Sequence, residues 1–334
     1  MRAIVIREPG SPEVLELRDV PSPPVFPGNV KIAVRYAGVN RADLLQRLGL
    51  YPAPPGAPKD IPGLEYTGTV IEVSAGVTRH SVGSRVYGLL GGGGYAEHVV
   101  VHEREAVPVP EGLSDGAAGA APETFITAYD ALFLRGGLRP GERVLVHAAG
   151  SGVGTAAIAL ANAVGCEVFG TSRTAEKLAR AVPLGLAHGI VPVQAPTGPS
   201  FADEIRERTA GAGVDVVLDL VGGPYTAESL RALGLRGRIV VVGLTGGREA
   251  LLDLGLLLQR RATLVGTVLR SRPLEERIEA ARLLERHIGP LFTSGRVHPV
   301  VDKIFPLEEA AAAHRYLAGD TSFGKVLLDL TPSP

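Results

Sequence analysis

The sequence predicts an α/β protein that combines a doubly wound parallel sheet with a second, β-rich domain. Three observations lead to this fold class. Residues 143–165 form a short apolar strand, a glycine-rich turn and a helix of small aliphatic residues. Apolar strands then alternate with helices up to about residue 268, the pattern of a parallel sheet with helices on both faces. Residues 1–122 instead contain short strand-like runs separated by proline and glycine.

The first 122 residues predict an antiparallel or barrel-like domain, because no long crossover helix separates their strands. One helix, residues 40–48, lies among the strands, and a proline-rich loop from Tyr51 to Pro58 follows it. Such a stiff, apolar loop is either a spacer or the wall of a pocket. The predicted strands of this part cover residues 1–8, 14–17, 30–36, 67–73, 85–87, 95–101 and 106–109.

Residues 123–268 predict the parallel sheet. Residues 216–218 and 239–242 are uninterrupted apolar runs, as expected for strands that are buried on both faces. The predicted strands are residues 144–146, 167–172, 188–193, 214–220, 238–242 and 263–268, which gives a sheet of six. The predicted helices are residues 123–134, 156–164, 174–182, 201–209 and 224–233.

The end of the chain leaves this alternation. The predicted elements are a helix at 274–287, a strand at 300–305, a helix at 307–318 and a strand at 325–330. We expect them to return to the β-rich domain, which would then comprise residues 1–124 and 267–334, with residues 125–266 inserted. A tandem of two consecutive domains is the alternative, and the pattern alone does not separate the two.

Composition narrows the classes of function. A chain of 334 residues can form two domains with substantial cores, and a net charge of −1 does not suggest a nucleic-acid-binding surface. No apolar run reaches the roughly 18–20 residues that span a bilayer, and the N-terminus is not a signal peptide. Cys166 is the only cysteine, which excludes an intramolecular disulfide and a cysteine-cluster zinc site. The expected location is the cytoplasm, without a membrane or nucleic-acid partner.

The glycine-rich turn predicts a dinucleotide site. Gly150, Ser151, Gly152 and Gly154 lie between the strand and the helix, where glycines let the backbone approach a pyrophosphate and the helix N-terminus offers unpaired N–H groups. The spacing is Gly-x-Gly-x-Gly, because position 155 is Thr. The motif by itself also fits an ordinary turn before a buried helix.

The end of the second strand of this sheet predicts the choice of cofactor. A fold that binds NAD usually has a carboxylate there, about 20 residues past the turn, to bind the ribose 2′-hydroxyl. Here the strand ends with Ser172 and Arg173, and Lys177 follows one helical turn later. These side chains suit a 2′-phosphate and predict NADPH. The alternative is that Arg173 and Lys177 are solvated surface charges.

Six short motifs carry a family resemblance. They are Gly38-Val-Asn40-x-x-Asp43-x-x-x-Arg47-x-Gly49-x-Tyr51-Pro52, Gly63-x-Glu65-x-x-Gly68-x-Val70, Thr127-Ala128, residues 147–154, Asp219-x-Val221-Gly222-Gly223 and Leu269-Arg270-Ser271-Arg272. On these motifs the chain resembles the zinc-free quinone oxidoreductase branch of the medium-chain dehydrogenase/reductase superfamily over nearly all of its length. Within the branch it is most similar to the p53-inducible quinone oxidoreductase-like proteins.

The resemblance implies a GroES-like β-rich catalytic domain with an inserted Rossmann domain that binds NADPH. It also implies a homodimer formed through the Rossmann domain, for which residues 263–268 would supply an apolar edge strand. The implied catalytic residues are Asn40, Tyr51, Ser151 and Arg270. The implied cofactor-binding residues are Thr127, Gly150, Ser151, Gly152, Val153, Gly154, Ser172, Arg173, Lys177, Val221, Gly222, Gly243, Leu244, Phe323 and Lys325.

Two departures from the zinc-dependent relatives predict the chemistry. Leu64 stands where those relatives have a ligand histidine, and their cysteine ligands are absent, so we expect no bound zinc. Quinones and α,β-unsaturated carbonyls need less help than ketones, because hydride addition gives them a delocalised anion. Asn40 and Tyr51 would donate hydrogen bonds to the carbonyl oxygen. Their alternative roles are a helix N-cap for Asn40 and packing against prolines for Tyr51.

Three functions remain open from the sequence. The first is an NADPH-dependent quinone oxidoreductase. The second is an NADPH-dependent enoyl or enal reductase, which shares the scaffold and differs only in the shape of the acceptor. The third is a non-catalytic NADPH-binding protein, like the crystallins and RNA-binding proteins among the relatives.

Overall fold

The structure is a computed structural model of the chain and describes residues 1–196 and 198–331. Residues 197 and 332–334, which fall within the predicted domain ranges, lie outside the described residues. The chain forms two compact units. Unit 1 comprises Met1–Ile126 and Leu269–Pro334, and unit 2 comprises Thr127–Val268. The sequence places the corresponding boundaries at 124/125 and 266/267.

The first part of the chain is rich in strands. They are β1 (Arg2–Ile6), β2 (Leu15–Asp19), β3 (Asn29–Val39), β4 (Glu65–Val73), β5 (Arg85–Leu89), β6 (His98–His102) and β7 (Val107–Pro108). The α-helices of this part are α1 (Arg41–Arg47), α2 (Asp115–Gly119) and α3 (Pro122–Tyr129), and a 3₁₀ turn covers Pro12–Val14.

Unit 2 alternates strands with helices. Its strands are β8 (Arg143–Val146), β9 (Glu167–Thr171), β10 (His188–Ile190), β11 (Val193–Ala195), β12 (Gly198–Ser200), β13 (Val214–Asp219), β14 (Leu233–Val241) and β15 (Thr263–Gly266). Its α-helices are α4 (Gly152–Ala163), α5 (Ala175–Ala181), α6 (Ala202–Arg208), α7 (Pro224–Ala232) and α8 (Leu254–Arg260). A π-helical segment, Asp130–Arg135, continues α3, and a 3₁₀ turn covers Val182–Leu184.

The last part of the chain belongs to unit 1. It contains α9 (Leu274–Leu283), a π-helical segment (Leu284–Ile288), α10 (Gly289–Thr293), β16 (Val301–Pro306), a 3₁₀ turn (Leu307–Glu309), α11 (Ala310–Ala318) and β17 (Lys325–Asp329).

The sheet of unit 1 is organised around β3. Its residues alternate between buried and half-buried positions over the first half of the strand, with Val30, Ile32 and Val34 facing the core. The strand order is β16-β17-β3-β4-β5-β7, with β6 also paired to β3. Because β17 pairs antiparallel with β3, with Val326 opposite Val39, the end of the chain completes the sheet that its beginning started.

The sheet of unit 2 is parallel, with the order β10-β9-β8-β13-β14-β15. Val144, Leu145 and Val146 of β8 are buried and pair with residues of β13. The chain passes from β8 through β9 to β10 on one side and then returns to β13 on the other. Ligands of such sheets bind at this reversal, beyond the carboxyl ends of the strands. The predicted fold class and the six-stranded sheet are confirmed.

Several short elements were not predicted from the sequence. They are α2, α8, α10 and the hairpin of β11 and β12. Helix α8 is the clearest case, because leucines occupy most of its positions and leave no apolar stripe with a period of 3.6 residues. Its N-terminus is marked only by Asp253, whose side chain accepts a hydrogen bond from the backbone N–H of Leu256 at 2.9 Å.

Strand β15 lies at an edge of the unit 2 sheet and is largely exposed. Leu264 in this strand is 43% exposed, and Leu258 in α8 is 77% exposed. The surface formed by β15 and α8 therefore exposes large apolar side chains. Across the described ranges, no helix has both the length and the apolar character needed to cross a membrane.

Candidate active site

Helix α1 begins at a capping box that fixes the first part of the site. Asn40 is the N-cap, and its backbone N–H donates to Oδ2 of Asp43 at 2.8 Å. The other oxygen of Asp43 accepts the backbone N–H of Gly63 at 3.0 Å, and the hydroxyl of Tyr95 donates to Oδ2 at 3.2 Å. Burial raises the pKa of Asp43 to about 6, against the opposing effect of the N–H groups of Asn40 and Gly63. Asp43 thus ties α1 to the loop before β4.

A buried ion pair lies beside this cap. Nζ of Lys325 is 2.5 Å from Oε1 of Glu65, and the two side chains are 5% and 0% exposed. The same ammonium donates to Oδ1 of Asn40 at 2.7 Å and to the carbonyl of Val39 at 3.1 Å. Lys325, predicted to contact the cofactor, is therefore used within unit 1 to neutralise Glu65.

The side chain of Asn40 is fully engaged in this cluster. Its Nδ2 donates to Oε1 of Glu65 at 3.0 Å and to the carbonyl of Gly38 at 3.3 Å, while Oδ1 accepts from Lys325. Gly38 is required here, since a Cβ at this position would lie 2.8 Å from Cγ of Glu65. Both donor hydrogens of Asn40 are thus used by the protein, and the residue also stands at the N-cap position of α1.

Glu123 is a site residue that the sequence reasoning missed. Its backbone N–H, at the start of α3, donates to Oε2 of Glu65 at 2.9 Å. The residue as a whole is half-buried, and its carboxyl has no hydrogen-bond partner within the described ranges. Burial raises the pKa of Glu123 to about 8, with a further contribution from Glu65, and Lys325 opposes the shift. A glutamate in the first turn of a helix is common, so only its burial could have singled it out.

Arg270 holds the loop that carries Tyr51. Its guanidinium donates to the carbonyls of Gly91 at 2.8 Å and Tyr51 at 3.1 Å, and to Oε1 of Gln46 at 2.5 Å. The same group lies 5.0 Å from the centre of the Tyr51 ring. Arg270 therefore holds the Tyr51 loop through hydrogen bonds to oxygen atoms of the protein.

The hydroxyl of Tyr51 is available to a ligand. The ring is half-buried, and the hydroxyl has no hydrogen-bond partner in the described part of the chain. Burial raises the pKa of Tyr51, Arg270 lowers it and Glu123 raises it further, so Tyr51 is a neutral donor at pH 7 and lies within electrostatic range of Glu123. A small cavity in unit 1 adjoins Glu123 and Arg270, and Tyr51 is not among the residues that line it. It is lined by Leu89, Leu90, Glu123, Arg270, Arg272 and Arg277.

The glycine turn of unit 2 has the geometry that a phosphate needs. Ser151 is the N-cap of α4, and its hydroxyl accepts the backbone N–H of Gly154 at 3.0 Å. A Cβ at Gly150 would lie 2.9 Å from Cδ of Lys177, so the stem of that lysine packs on the turn. Gly152 and Val153 form the first turn of α4. The structure thus brings five of the predicted cofactor residues and Lys177 to one end of the sheet.

A second group of predicted residues lies beyond β13 and β14. The backbone N–H groups of Val221 and Gly222 donate to Oδ1 of Asp219 at 2.9 and 2.8 Å. A Cβ at Gly222 would lie 3.0 Å from both the carbonyl of Gly243 and a methyl of Leu244. These four predicted residues are therefore neighbours. Asp219 is the residue that shapes their loop, and it was not predicted as part of the site.

The end of β9 carries the predicted 2′-phosphate residues. Ser172 is buried, and Arg173 and the following residues are exposed. Burial raises the pKa of Tyr225, and Arg173 opposes this, so the guanidinium lies near that phenol. Thr127 is buried, and its hydroxyl has no hydrogen-bond partner among the residues that the structure describes. Phe323 is buried in unit 1, apart in sequence from the other cofactor residues.

The described residues do not fit a catalytic zinc ion. Among them, no group of three or more histidine, cysteine, aspartate or glutamate side chains is arranged to hold a metal. Leu64, at the position of the family's ligand histidine, is buried in unit 1. The Glu65 carboxylate is occupied by Lys325.

Comparison with known proteins identifies the family. The profile of zinc-binding dehydrogenases matches residues 152–286, and that of the alcohol dehydrogenase GroES-like domain matches residues 26–111. The synaptic vesicle membrane protein VAT-1 homolog of Rattus norvegicus is 34% identical over 353 residues, with 100% of this chain and 85% of that protein covered. The phthioceranic/hydroxyphthioceranic acid synthase of Mycobacterium tuberculosis is 34% identical over 332 residues and covers 97% of this chain, which spans 15% of that synthase.

Solved structures with this fold include a dehydrogenase, a quinone oxidoreductase and an enoyl reductase. An NAD-dependent alcohol dehydrogenase has a TM-score of 0.87 and 34% identity, with 99% and 100% of the two chains covered. Mycobacterial Rv1454c complexed with NADPH has a TM-score of 0.87 and 30% sequence identity, with 99% of this chain and 100% of that chain covered. The quinone oxidoreductase of Pseudomonas syringae has a TM-score of 0.87 and 28% sequence identity, with 98% of this chain and 99% of that chain covered. The CurK enoyl reductase has 0.84 and 29%, with 99% of each chain covered.

A parallel sheet with a glycine turn at its reversal point, together with a GroES-like β-rich unit, defines an oxidoreductase of the dehydrogenase and reductase type. The chain belongs to the medium-chain dehydrogenase/reductase superfamily.

The buried ion pair gives a stability prediction. Replacing Glu65 by Ala leaves Lys325 buried without an anion, so we expect the free energy of unfolding at pH 7 to fall by about 3–5 kcal/mol. Glu72→Ala is the matched control, because Glu72 lies on the same strand and pairs with Lys31 at 2.9 Å while 52% exposed. Its loss should be below about 1 kcal/mol. Denaturant titrations measure both, and equal small losses would contradict the importance of the buried pair.

Proposed function

We propose that the chain is an NADPH-dependent reductase that works without a metal ion and takes quinones as its acceptors. The observation that carries this proposal is the set of groups in unit 1. It offers the Glu123 carboxyl at a cavity and the Tyr51 hydroxyl within electrostatic range of Glu123, while the described residues hold no ligand set for zinc. Reduction of an ordinary ketone requires stabilisation of the developing alkoxide, which zinc or a well-placed acid normally provides. A conjugated acceptor distributes that charge and needs only hydrogen-bond donors.

NADPH is the cofactor, and the residues of unit 2 fit it. Gly150, Ser151, Gly152, Val153 and Gly154 would hold the pyrophosphate at the N-terminus of α4. The buried, unpartnered hydroxyl of Thr127 is available to a polar group of the dinucleotide. The relative complexed with NADPH supports the assignment. When bound, NADPH supplies a hydride, which is two electrons and one hydrogen nucleus, to the acceptor.

The roles of the predicted catalytic residues differ. Tyr51 is proposed to donate a hydrogen bond to the carbonyl oxygen of the acceptor, because its hydroxyl is available and neutral. Arg270 is proposed to position the Tyr51 loop. Asn40 is proposed to position Lys325 and Glu65, since its amide donors are already used. Ser151 is proposed to cap α4 at the pyrophosphate.

An enoyl reductase is the second candidate. It is supported by the likeness to the CurK enoyl reductase and by the mycobacterial synthase, of which the chain covers 15%. Quinones are preferred because the motifs from residue 38 to residue 52 and from residue 269 to residue 272 resemble those of quinone oxidoreductases. The P. syringae quinone oxidoreductase supports the same choice.

An acceptor screen tests the function. Protein purified without an affinity tag and assayed for bound zinc is given NADPH with ortho-quinones, para-quinones, enals and enoyl thioesters. We expect less than one zinc per chain and the highest kcat/KM with a quinone. The highest value with an enal or thioester would select the second candidate. No turnover of any conjugated acceptor, or one tightly bound zinc per chain that is required for turnover, would overturn the proposal.

The choice of cofactor gives a mutational prediction. Charge-assisted hydrogen bonds are worth about 1.5–3 kcal/mol each, so Arg173→Ala should raise the KM for NADPH by about tenfold or more. The KM for NADH should hardly change, because NADH has no 2′-phosphate. Arg180→Ala is the matched control, since Arg180 is exposed on the adjoining helix α5. Equal use of both cofactors by the wild type, or equal weakening of both by Arg173→Ala, would make Arg173 a surface charge.

We further propose that two copies associate through β15 of unit 2. The strand is an exposed sheet edge with apolar neighbours, which favours pairing with a symmetry mate. Light scattering at micromolar concentration should give twice the chain mass of 34.8 kDa. Leu264→Arg should shift the mass toward the monomer, whereas Val82→Arg should not, because Val82 is an exposed residue of unit 1. A monomeric wild type would refute the proposal.

A further inference from the structure

Glu123 combines three properties that no other carboxyl of the described unit 1 cluster shares. Its backbone is fixed, because its N–H donates to Oε2 of Glu65 at 2.9 Å. Its carboxyl borders the cavity, beside Leu89, Leu90 and Arg270. That carboxyl has no hydrogen-bond partner in the described ranges, whereas both oxygens of Asp43 and of Glu65 are bonded within the protein.

We propose that Glu123 is the catalytic residue that gives a proton to the acceptor after hydride addition. The proposal rests on the proposed function, because it assumes a conjugated carbonyl bound within reach of the Glu123 carboxyl. It assigns to the reaction a proton donor that the family motifs in the sequence do not mark.

The surroundings of Glu123 favour the protonated form. Burial is the largest contribution and raises its pKa to about 8. Glu65 and Asp43 add negative charge, while Lys325 and Arg270 oppose them. Two further arginines line the cavity, at positions 272 and 277. The charge of Lys325 is largely offset by Glu65 at 2.5 Å, which leaves Glu123 beside a neutralised pair. Near pH 7 the carboxyl therefore carries a proton that it can transfer.

The proton transfer completes a balanced reaction. With an enone, hydride adds at the far carbon of the conjugated system, and the electron pair of the C=C bond moves through to the carbonyl oxygen to give an enolate. With a quinone, the same two electrons and one hydrogen nucleus give a quinol anion. The O–H bond of Glu123 then breaks, its proton joins that anion, and a carboxylate remains. Partial exposure of the side chain allows a proton from water to restore the acid. One hydride and one proton are consumed for each acceptor reduced.

The other donors of the cluster are less suited to this step. Burial raises the pKa of the Tyr51 hydroxyl, so it holds its proton more tightly than Glu123 and serves as a hydrogen-bond donor. Asp43 is fully buried, and the loop and Tyr95 use its oxygens. Glu65 is paired with Lys325.

Glu123→Gln tests the assignment, because glutamine keeps the shape and hydrogen bonding of the acid but has no proton to release. Initial rates with NADPH are measured from pH 6 to pH 9.5 for an enone and for a quinone. We expect wild-type kcat/KM for the enone to fall above about pH 8 as Glu123 loses its proton. The kcat/KM of Glu123→Gln for the enone should be about 10²–10⁴-fold lower than that of the wild type. Its pH profile should no longer decline above about pH 8. The loss should be smaller with the quinone, because a quinol anion can leave unprotonated.

Glu97→Gln is the matched control. Glu97 is a partly buried glutamate of unit 1 whose carboxylate pairs with Arg2 at 2.7 Å. The same chemical change there should leave the enone rate and its pH profile as in the wild type.

A measurement without turnover follows from the same proton. The folded-state pKa of Glu123 lies above its unfolded value of about 4.3, so folding takes up a proton between about pH 5 and pH 8. Wild-type stability should therefore fall as pH rises through this window. Relative to the wild type, Glu123→Gln should gain stability as pH rises from 5 to 9. In the folded wild type, the infrared band of a protonated carboxyl should be present at pH 7 and lost in the variant.

The outcomes separate the two proposals. A wild type without turnover of any conjugated acceptor overturns the proposed function. An active wild type whose Glu123→Gln variant stays within twofold, or keeps the decline above pH 8, overturns the role of Glu123 alone. If Glu123→Gln does not fold, Glu123→Asp and the wild-type infrared titration decide. Activity retained in Glu123→Asp with a displaced pH limb supports the proposal, and the absence of a protonated carboxyl at pH 7 overturns it.

Discussion

The buried ion pair of Lys325 and Glu65 is the interaction on which the arrangement of unit 1 depends. Removing two charges from water costs several kcal/mol for each ion, so such a pair persists only where further hydrogen bonds satisfy both groups. Here the ammonium also donates to the carbonyl of Val39 and to Asn40, while the second oxygen of Glu65 accepts the N–H of Glu123. One pair thus joins β3, β4 and β17 and sets where α3 begins.

The same cluster divides its acidic groups by environment. Asp43 is bonded by backbone N–H groups and holds a loop, and Glu65 faces an ammonium. Glu123 receives neither kind of contact at its carboxyl, and burial raises its pKa to about 8. Asp43 and Glu123 therefore differ in pKa, about 6 against about 8, because their neighbours differ. One cluster of side chains can then contain both structural carboxylates and a carboxyl group proposed to take part in the reaction.

The sequence predicted those elements that a continuous apolar run or a glycine-rich turn marks locally. Uninterrupted apolar runs gave the strands of the parallel sheet, and glycines with Ser151 gave the turn before α4. Helix α8 was not predicted, because its leucines do not leave a separate polar face on the helix. Glu123 was also missed, since a first-turn glutamate carries no local sign of its burial. The bonding of Asn40 was beyond sequence reasoning as well, because its partner Lys325 is 285 residues away.

That separation has a consequence for how the chain acquires its structure during synthesis. Strand β3 and most of its neighbours are made before unit 2, but β17 is made only after unit 2. Until then residues 36–39 of β3 lack their partner strand, and the carboxyl groups near Asn40 lack the ammonium of Lys325. Contacts of such long range form late and slowly. Unit 2 contains no such requirement, since all its strands lie within one continuous stretch, and it can fold while unit 1 waits for its final strand.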